Sequence, residues 1–316
     1  MDEGLIDYVA NATESAENPF YSANIVANPS LHIGGVMIDA STINKSLLAD
    51  TLHEIDAIES NVAIGYHAIE FLLWGQDLNG NNPGSGNRPV TDFHLDSCTN
   101  GHCDRRRDYL LAATNLLVDD LQEMVGNWKT DGAAHSDLMA KGDISGLATI
   151  ITGMGSLAYG ELAGERIKLG LMLHDPEEEQ DCFSDNTHWS HFYDAKGIKN
   201  VYLGSYTRTD GSVVSGASLS DLLKVNHGSI DDNMQTALTN TEAAMQKMVD
   251  LSEAGTPFDV LIGAQNSVGN KVVQDVVDAL MAEAAVIERA AIALQLNGIE
   301  VAGSDSLDNP GAVLAQ

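Results

Sequence analysis

Apolar residues in this chain recur at helical intervals over long segments, and nowhere do they alternate with period two over a useful length. The pattern specifies helices and gives sheets little to build on. AAMQKMVDL (243–251) and VVQDVVDALMAEAAVIERAAIAL (272–294) each keep their apolar residues on one face. They predict bundle helices over about 218–254, interrupted near 226–228, and over about 266–296. No repeat period indicates a solenoid, so the expected class is all-α with long irregular loops.

Earlier segments follow the same rule. STINKSLLADTLHEIDAIESNVAIGYHAIEFLLWGQD predicts one helix over about 43–75, with Ser41 or Thr42 as its N-cap. The Asn-, Gly- and Pro-rich stretch 78–104 reads as a long loop. Residues 105–129 predict an amphipathic helix that buries Leu110, Leu117, Leu121, Met124, Val125 and Trp128. Its first residues, Arg105, Arg106 and Arg107, read as a solvated helix start or as neutralisers of nearby carboxylates. A third run, about 144–174, carries Gly153, Gly155, Gly160 and Gly164, which allow a neighbouring helix to approach closely. One of Ser184–Thr187 caps a short helix bearing His188 and His191, a turn-rich break follows at 207–217, and the end, GSDSLDNPGAVLAQ, reads as a loose tail.

Charge excludes some partners. Asp and Glu total 46 against 16 Lys and Arg, a formal net charge of −30. Such a surface repels phosphate backbones and anionic lipid, so nucleic acid is not an expected partner. No apolar run reaches the roughly 18 residues that span a bilayer. The acidic opening MDEGLIDYVA has no separate apolar core and is not a signal peptide.

Ionisable side chains interrupt an apolar helical run in one place, at NVAIGYHAIEFLLWGQD (61–77). His67 and Glu70 stand three residues apart, which places their Cβ atoms roughly 5–6 Å from each other on one helix face. An imidazole and a carboxylate at that spacing can share a cation; the plainer reading is a core histidine hydrogen-bonded to a glutamate. The same helical stripe carries Asp56, Glu59, Ala63 and Trp74, with Asp56 too far along the axis to join a site at His67. The signatures HExxH, GxSxG and a phosphate loop are absent. Cys98 and Cys103 flank the short polar loop TNGH, which suits a disulfide, a soft-metal cluster with His94 and His102, or free thiols. Cys182, beside Phe183, reads as a buried small hydrophobe.

GYHAIE fits Gly-x-His-x-x-Glu, and the chain resembles the imelysin family, in particular its iron-regulated-protein-A branch. The resemblance extends over DEGLIDYV (2–9), FLLWGQDLNG (71–80), CTNGHCDRR (98–106), GERIKLGL (164–171) and CFSDNTHWSHFYDAKGIKNVYLGSY (182–206). It implies two packed helical-bundle halves, expected here as 1–130 and 131–316, with the first half short of the family's N-terminal segment. It also implies an exported protein of the periplasm or cell surface, implicated in iron uptake. That protein would bind a divalent metal, iron or zinc, or a metal-bearing ligand in a cleft between the halves.

Under the resemblance the metal ligands are His67 and Glu70, with Glu165, Arg166, Ser184 and His188 as cleft residues. The family's exported character favours the Cys98–Cys103 disulfide. Gln180 stands where related sequences often carry a histidine. The family's peptidase classification implies an alternative, a zinc metallopeptidase with Glu70 as ligand or general base. An activated water and an oxyanion stabiliser are not legible, so binding without turnover is the expected role. Other iron-uptake components are the expected further partners.

Overall fold

The computed structural model describes residues 3–10, 14 and 19–314. Asp2 of the DEGLIDYV block and the last two residues of the tail lie outside them. The chain is predominantly α-helical. Among the described residues the strands are two antiparallel hairpins, β1 Ser30–Ile33 with β2 Val36–Asp39 and β3 Ser205–Thr207 with β4 Val213–Ser215. Strands this short carry too few residues to display alternation, so the second hairpin reads in sequence only as a turn-rich break. The chain divides into two compact units, Met1–Leu78 with Gly84–His135, and Asn79–Pro83 with Ser136–Gln316.

In the first unit the expected helix over 43–75 is not continuous. Asn44, rather than Ser41 or Thr42, starts it, its side chain accepting from the Leu47 amide at 2.9 Å. A π-helical turn, Leu47–Leu52, follows. Glu54, Asp56 and Ala57 then take left-handed backbone, with φ of 53°, 63° and 57°. The buried Asn61 closes the break by donating to the Ile55 carbonyl at 2.8 Å. Helical spacing survives a kink of this kind in the sequence but not in space. Asp56 and Glu59 therefore lie outside helix α1, Gly65–Trp74.

Helix α2, Cys103–Trp128, buries only its beginning: Cys103, Arg106, Tyr109, Ala112 and Ala113. Leu110 and Leu117 are half-buried, whereas Leu121, Met124, Val125 and Trp128, expected inside, are exposed. Periodicity identifies which face is apolar; it does not say whether anything packs on it. Of the arginines at the start of α2, Arg107 is solvated and Arg106 neutralises a carboxylate, as the two readings expected, and Arg105 does neither. Arg105 donates to the carbonyls of Ile25, Val26 and Ala40, each at 2.8 Å, and so ties the hairpin segment to the helix. Arg106 is buried, and only Arg107 is solvated.

Arg106 anchors a buried ionic group. Its Nε and Nη2 reach Asp7 at 2.6 and 3.2 Å, while its Nη1 donates to the carbonyls of Asp92 and Gly101. Arg88 donates to Asp7 at 2.9 Å and to Asp92 at 3.5 Å, and its guanidinium lies over the Phe71 ring. Burial lowers the Arg88 pKa and the Asp7 charge opposes that. Asn100 donates to Asp92 from the loop that the Cys98–Cys103 disulfide closes, so these cysteines are not free for a metal cluster with His94 and His102.

The second unit is a bundle of four long helical segments. α3 runs over 142–173, with a π-helical middle at Leu157–Lys168. α4 is Thr187–Leu203, α5 is Leu219–Glu253 and α6 is Ser267–Ala293. α5 is kinked at His227 (φ −136°), inside the expected interruption. Ser218 and Asn266 cap α5 and α6. Two apolar clusters fill the bundle, one around Leu162, Met248, Val273 and Leu280, the other around Ile151, Tyr202, Leu238 and Ile287.

The glycines of α3 receive an extended strap instead of a helix. A Cβ on Gly160 would lie 2.4 Å from the Ala302 carbonyl oxygen, and one on Gly164 would lie 2.3 Å from the Ser304 Cβ. Ser156 Oγ accepts from the Ala302 amide, and Ser306 Oγ donates to the Gly164 carbonyl. The expected loose tail is therefore pinned through Asp308, because its serines supply partners for the helix it crosses.

Glu283 stands on α6 between the two apolar clusters, fully buried. Burial pushes its pKa up to about 7, with the Thr241 hydroxyl and the Lys199 charge pulling the other way. A carboxyl raised in the folded state stabilises below its unfolded pKa and loses that stability as pH rises through the folded value. Relative to Glu283→Gln, wild type is expected to lose about 3 kcal/mol between pH 4 and pH 9. Urea unfolding of both proteins across that range checks it; parallel stability curves would refute it.

Candidate functional site

Gly65 sets the geometry of the site. Its φ of +85° is open to glycine and costly for any other residue, and it turns the chain from the extended Ile64 into α1. Buried Ala68, Phe71 and Leu72 seat the helix, and the Tyr109 hydroxyl donates to the Ala63 carbonyl just before it. Gly75, with φ +75°, ends the helix; Gly86 passes so close to Trp74 and Gly75 that a Cβ there would meet their carbonyl oxygens at 2.6 and 2.7 Å. Both ends of one short helix are thus fixed, and with them the direction of its side chains.

On that helix His67 Nδ1 lies 3.1 Å from Glu70 Oε2. The histidine side chain is 39% exposed and the glutamate 10%. The carboxylate is rooted in the protein while the imidazole reaches solvent. A histidine oriented by a carboxylate through one ring nitrogen is the usual arrangement of a metal-ligating imidazole, and the same two groups can both donate to one cation.

The other expected site residues are distributed through the second unit. Arg166 Nη2 pairs with Glu161 at 2.7 Å on the exposed side of α3. Glu165, also exposed, lines a hollow with Leu169, Leu173 and Asp305. His188 is buried on α4, its Nε2 3.2 Å from Glu253 Oε1, an oxygen that also accepts from the Trp189 indole at 2.7 Å. Those two donors hold the Glu253 pKa below the usual range. Ser184 is half-buried in the segment leading into α4, and Cys182, expected to be buried, is half-buried as well.

A second group of oxygen donors includes one residue that the sequence singles out, Asp185, and that only as a cap candidate. Carboxylate oxygens of Glu179, Asp185 and Asp259 lie within 4.8 Å of one another in the second unit. Glu179 and Asp259 are buried, and burial together with the Asp259 charge pushes the Glu179 pKa well up. Such a trio either shares a proton or receives a cation. The acidic run EEEQD contains one member. Asp259, eighty residues on in PFDVLIG, has no local signature that would mark it.

A family model described as Imelysin matches residues 1–287. The chain belongs to the imelysin family. No curated protein sequence matches it. Among solved structures it is similar to an iron-regulated protein A precursor from Parabacteroides distasonis, at 14% identity and a TM-score of 0.51, covering 78% of this chain and 70% of that one. At that identity the likeness speaks for the fold. It agrees with the resemblance carried by GYHAIE and the later blocks. Among the described residues no helix of this imelysin-family chain is long and apolar enough to cross a membrane.

Proposed function

We propose that this imelysin-family protein is an exported metal-binding component of iron uptake that holds a divalent ion, iron or zinc, or a metal-bearing ligand, at His67 and Glu70. The observation that carries the reading is the 3.1 Å imidazole–carboxylate pair on a helix whose start demands glycine. Nitrogen and carboxylate oxygen together suit either metal. Two donors do not complete a coordination shell, so water, a carried ligand or further side chains supply the rest. The Cys98–Cys103 disulfide supports an oxidising compartment.

Metal content and affinity of the purified protein, titrated with ferrous iron and with zinc, test the proposal. His67→Ala and Glu70→Ala are each expected to weaken binding by at least about 10-fold. Unchanged affinity in both variants would refute it. The family's peptidase label keeps a second reading open to the same experiment: chelator-sensitive peptide cleavage that disappears in His67→Ala would replace binding with hydrolysis.

A further inference from the structure

The strap over α3 borders two hollows, neither of which is lined by His67 or Glu70. The first, about 700 Å³, is walled by Ala284, Ala285, Ile292, Leu296 and Val301, with Glu288 and Asp308 as its charged lining residues. The second, about 780 Å³, has Leu169, Leu173 and Val313 among its lining and carries Glu165, Glu178, Asp305 and Asp308. Gly303 and Asp308 line both, so the hollows meet at the strap. Each has the volume of an ordinary ligand cleft.

We propose that the two hollows form one docking groove for a polypeptide segment in which an apolar block adjoins a basic block. Charge complementarity selects the occupant. Among the described residues neither hollow is lined by a lysine, arginine or histidine. The nearest cations on α3 are engaged elsewhere, Arg166 with Glu161 and Lys168 with Gln274. The junction is fixed: Asp308 accepts from the Tyr159 hydroxyl at 2.6 Å and from the Ser304 amide at 3.1 Å. The first hollow is mainly apolar with two carboxylates, and the second carries four carboxylates among three apolar side chains. In series they favour a ligand whose apolar side chains gather toward one end and whose cations gather toward the other. A small organic cation would fill one hollow and leave the other in water, whereas a chain of several residues covers both.

Fluorescence anisotropy with a labelled octapeptide of four leucines followed by four lysines tests the groove. A permuted peptide of the same composition and tetralysine serve as competitors. The block peptide is expected to bind at least about 10-fold more tightly than either. Ala285→Trp, which fills the apolar hollow from an exposed position, and the pair Glu165→Gln with Asp305→Asn, also exposed, are each expected to weaken binding by about 10-fold. The pair Asp143→Asn with Asp232→Asn, exposed and lining neither hollow, is expected to leave it unchanged. Equal binding of the permuted peptide, or equal losses in the remote pair, would reduce the effect to general attraction by a chain of net charge −30. Tetralysine binding as tightly as the block peptide would reassign the acidic hollow to small cations. None of these results touches His67 or Glu70, so the groove and the metal site stand or fall separately.

Discussion

Arg106→Ala is expected to destabilise the first unit by about 3–5 kcal/mol, the range for breaking a buried ion pair by removing one partner. The substitution leaves Asp7, 2% exposed, with Arg88 as its one remaining cation in the group, and it strips the Asp92 and Gly101 carbonyls of their donor. The cost comes from what stays behind uncompensated, not from the charge that leaves. Asp7→Leu combined with Arg106→Met is therefore expected to be less damaging than the sum of the two single changes. Equilibrium urea unfolding of the four proteins checks both statements. A loss below about 1 kcal/mol for Arg106→Ala would mean that water replaces the guanidinium at little cost.

Acid should weaken the second unit through His191. This histidine is fully buried on α4, edge-on to Phe258 at 5.3 Å between ring centroids. Burial, then the Arg166 charge, then His188, lower its pKa to about 3, with the Arg166 backbone pulling the other way. The folded state thus holds the imidazole neutral while the unfolded chain takes up a proton near pH 6.5. The unfolded state binds more protons between those values, so stability falls as pH drops through the interval. Wild type is expected to lose about 3 kcal/mol more than His191→Phe between pH 6.5 and pH 4. Denaturation curves for the two proteins at several pH values provide the measurement, and parallel curves would refute it. This dependence runs opposite to that of Glu283. The two windows overlap below neutrality, where the unfolded chain alone ionises the Glu283 carboxyl and protonates the His191 imidazole. In wild type the two dependences therefore largely offset each other, and each single variant uncovers the other.

Much of the helical framework is legible in the amino-acid sequence. The helices expected at 218–254 and 266–296 are close to the observed α5 and α6, because a bundle helix must keep its apolar residues on one face to bury them. The kink near 226–228 is visible in NHG, where helix propensity is poor. GYHAIE encodes the histidine–glutamate pair directly, since a three-residue separation within one helical turn is local geometry. Other features escape the sequence for a common reason. The stretch 43–75 keeps its helical spacing across a break that depends on the buried side chain of Asn61. Leu121, Met124, Val125 and Trp128 form an apolar face on α2, yet they remain exposed. The glycines of α3 signal a close neighbour without saying that it is a strap.

By itself the sequence determined the all-helical class, the family and the chemistry of the His67–Glu70 turn, each encoded in residues near one another along the chain. Tertiary structure alone decided where Arg105 and Arg106 would be used, that Glu179, Asp185 and Asp259 would converge, and that the tail would cross α3 at its glycines. Those outcomes depend on contacts between distant segments, where burial and charge pairing become known only after the chain has folded back on itself.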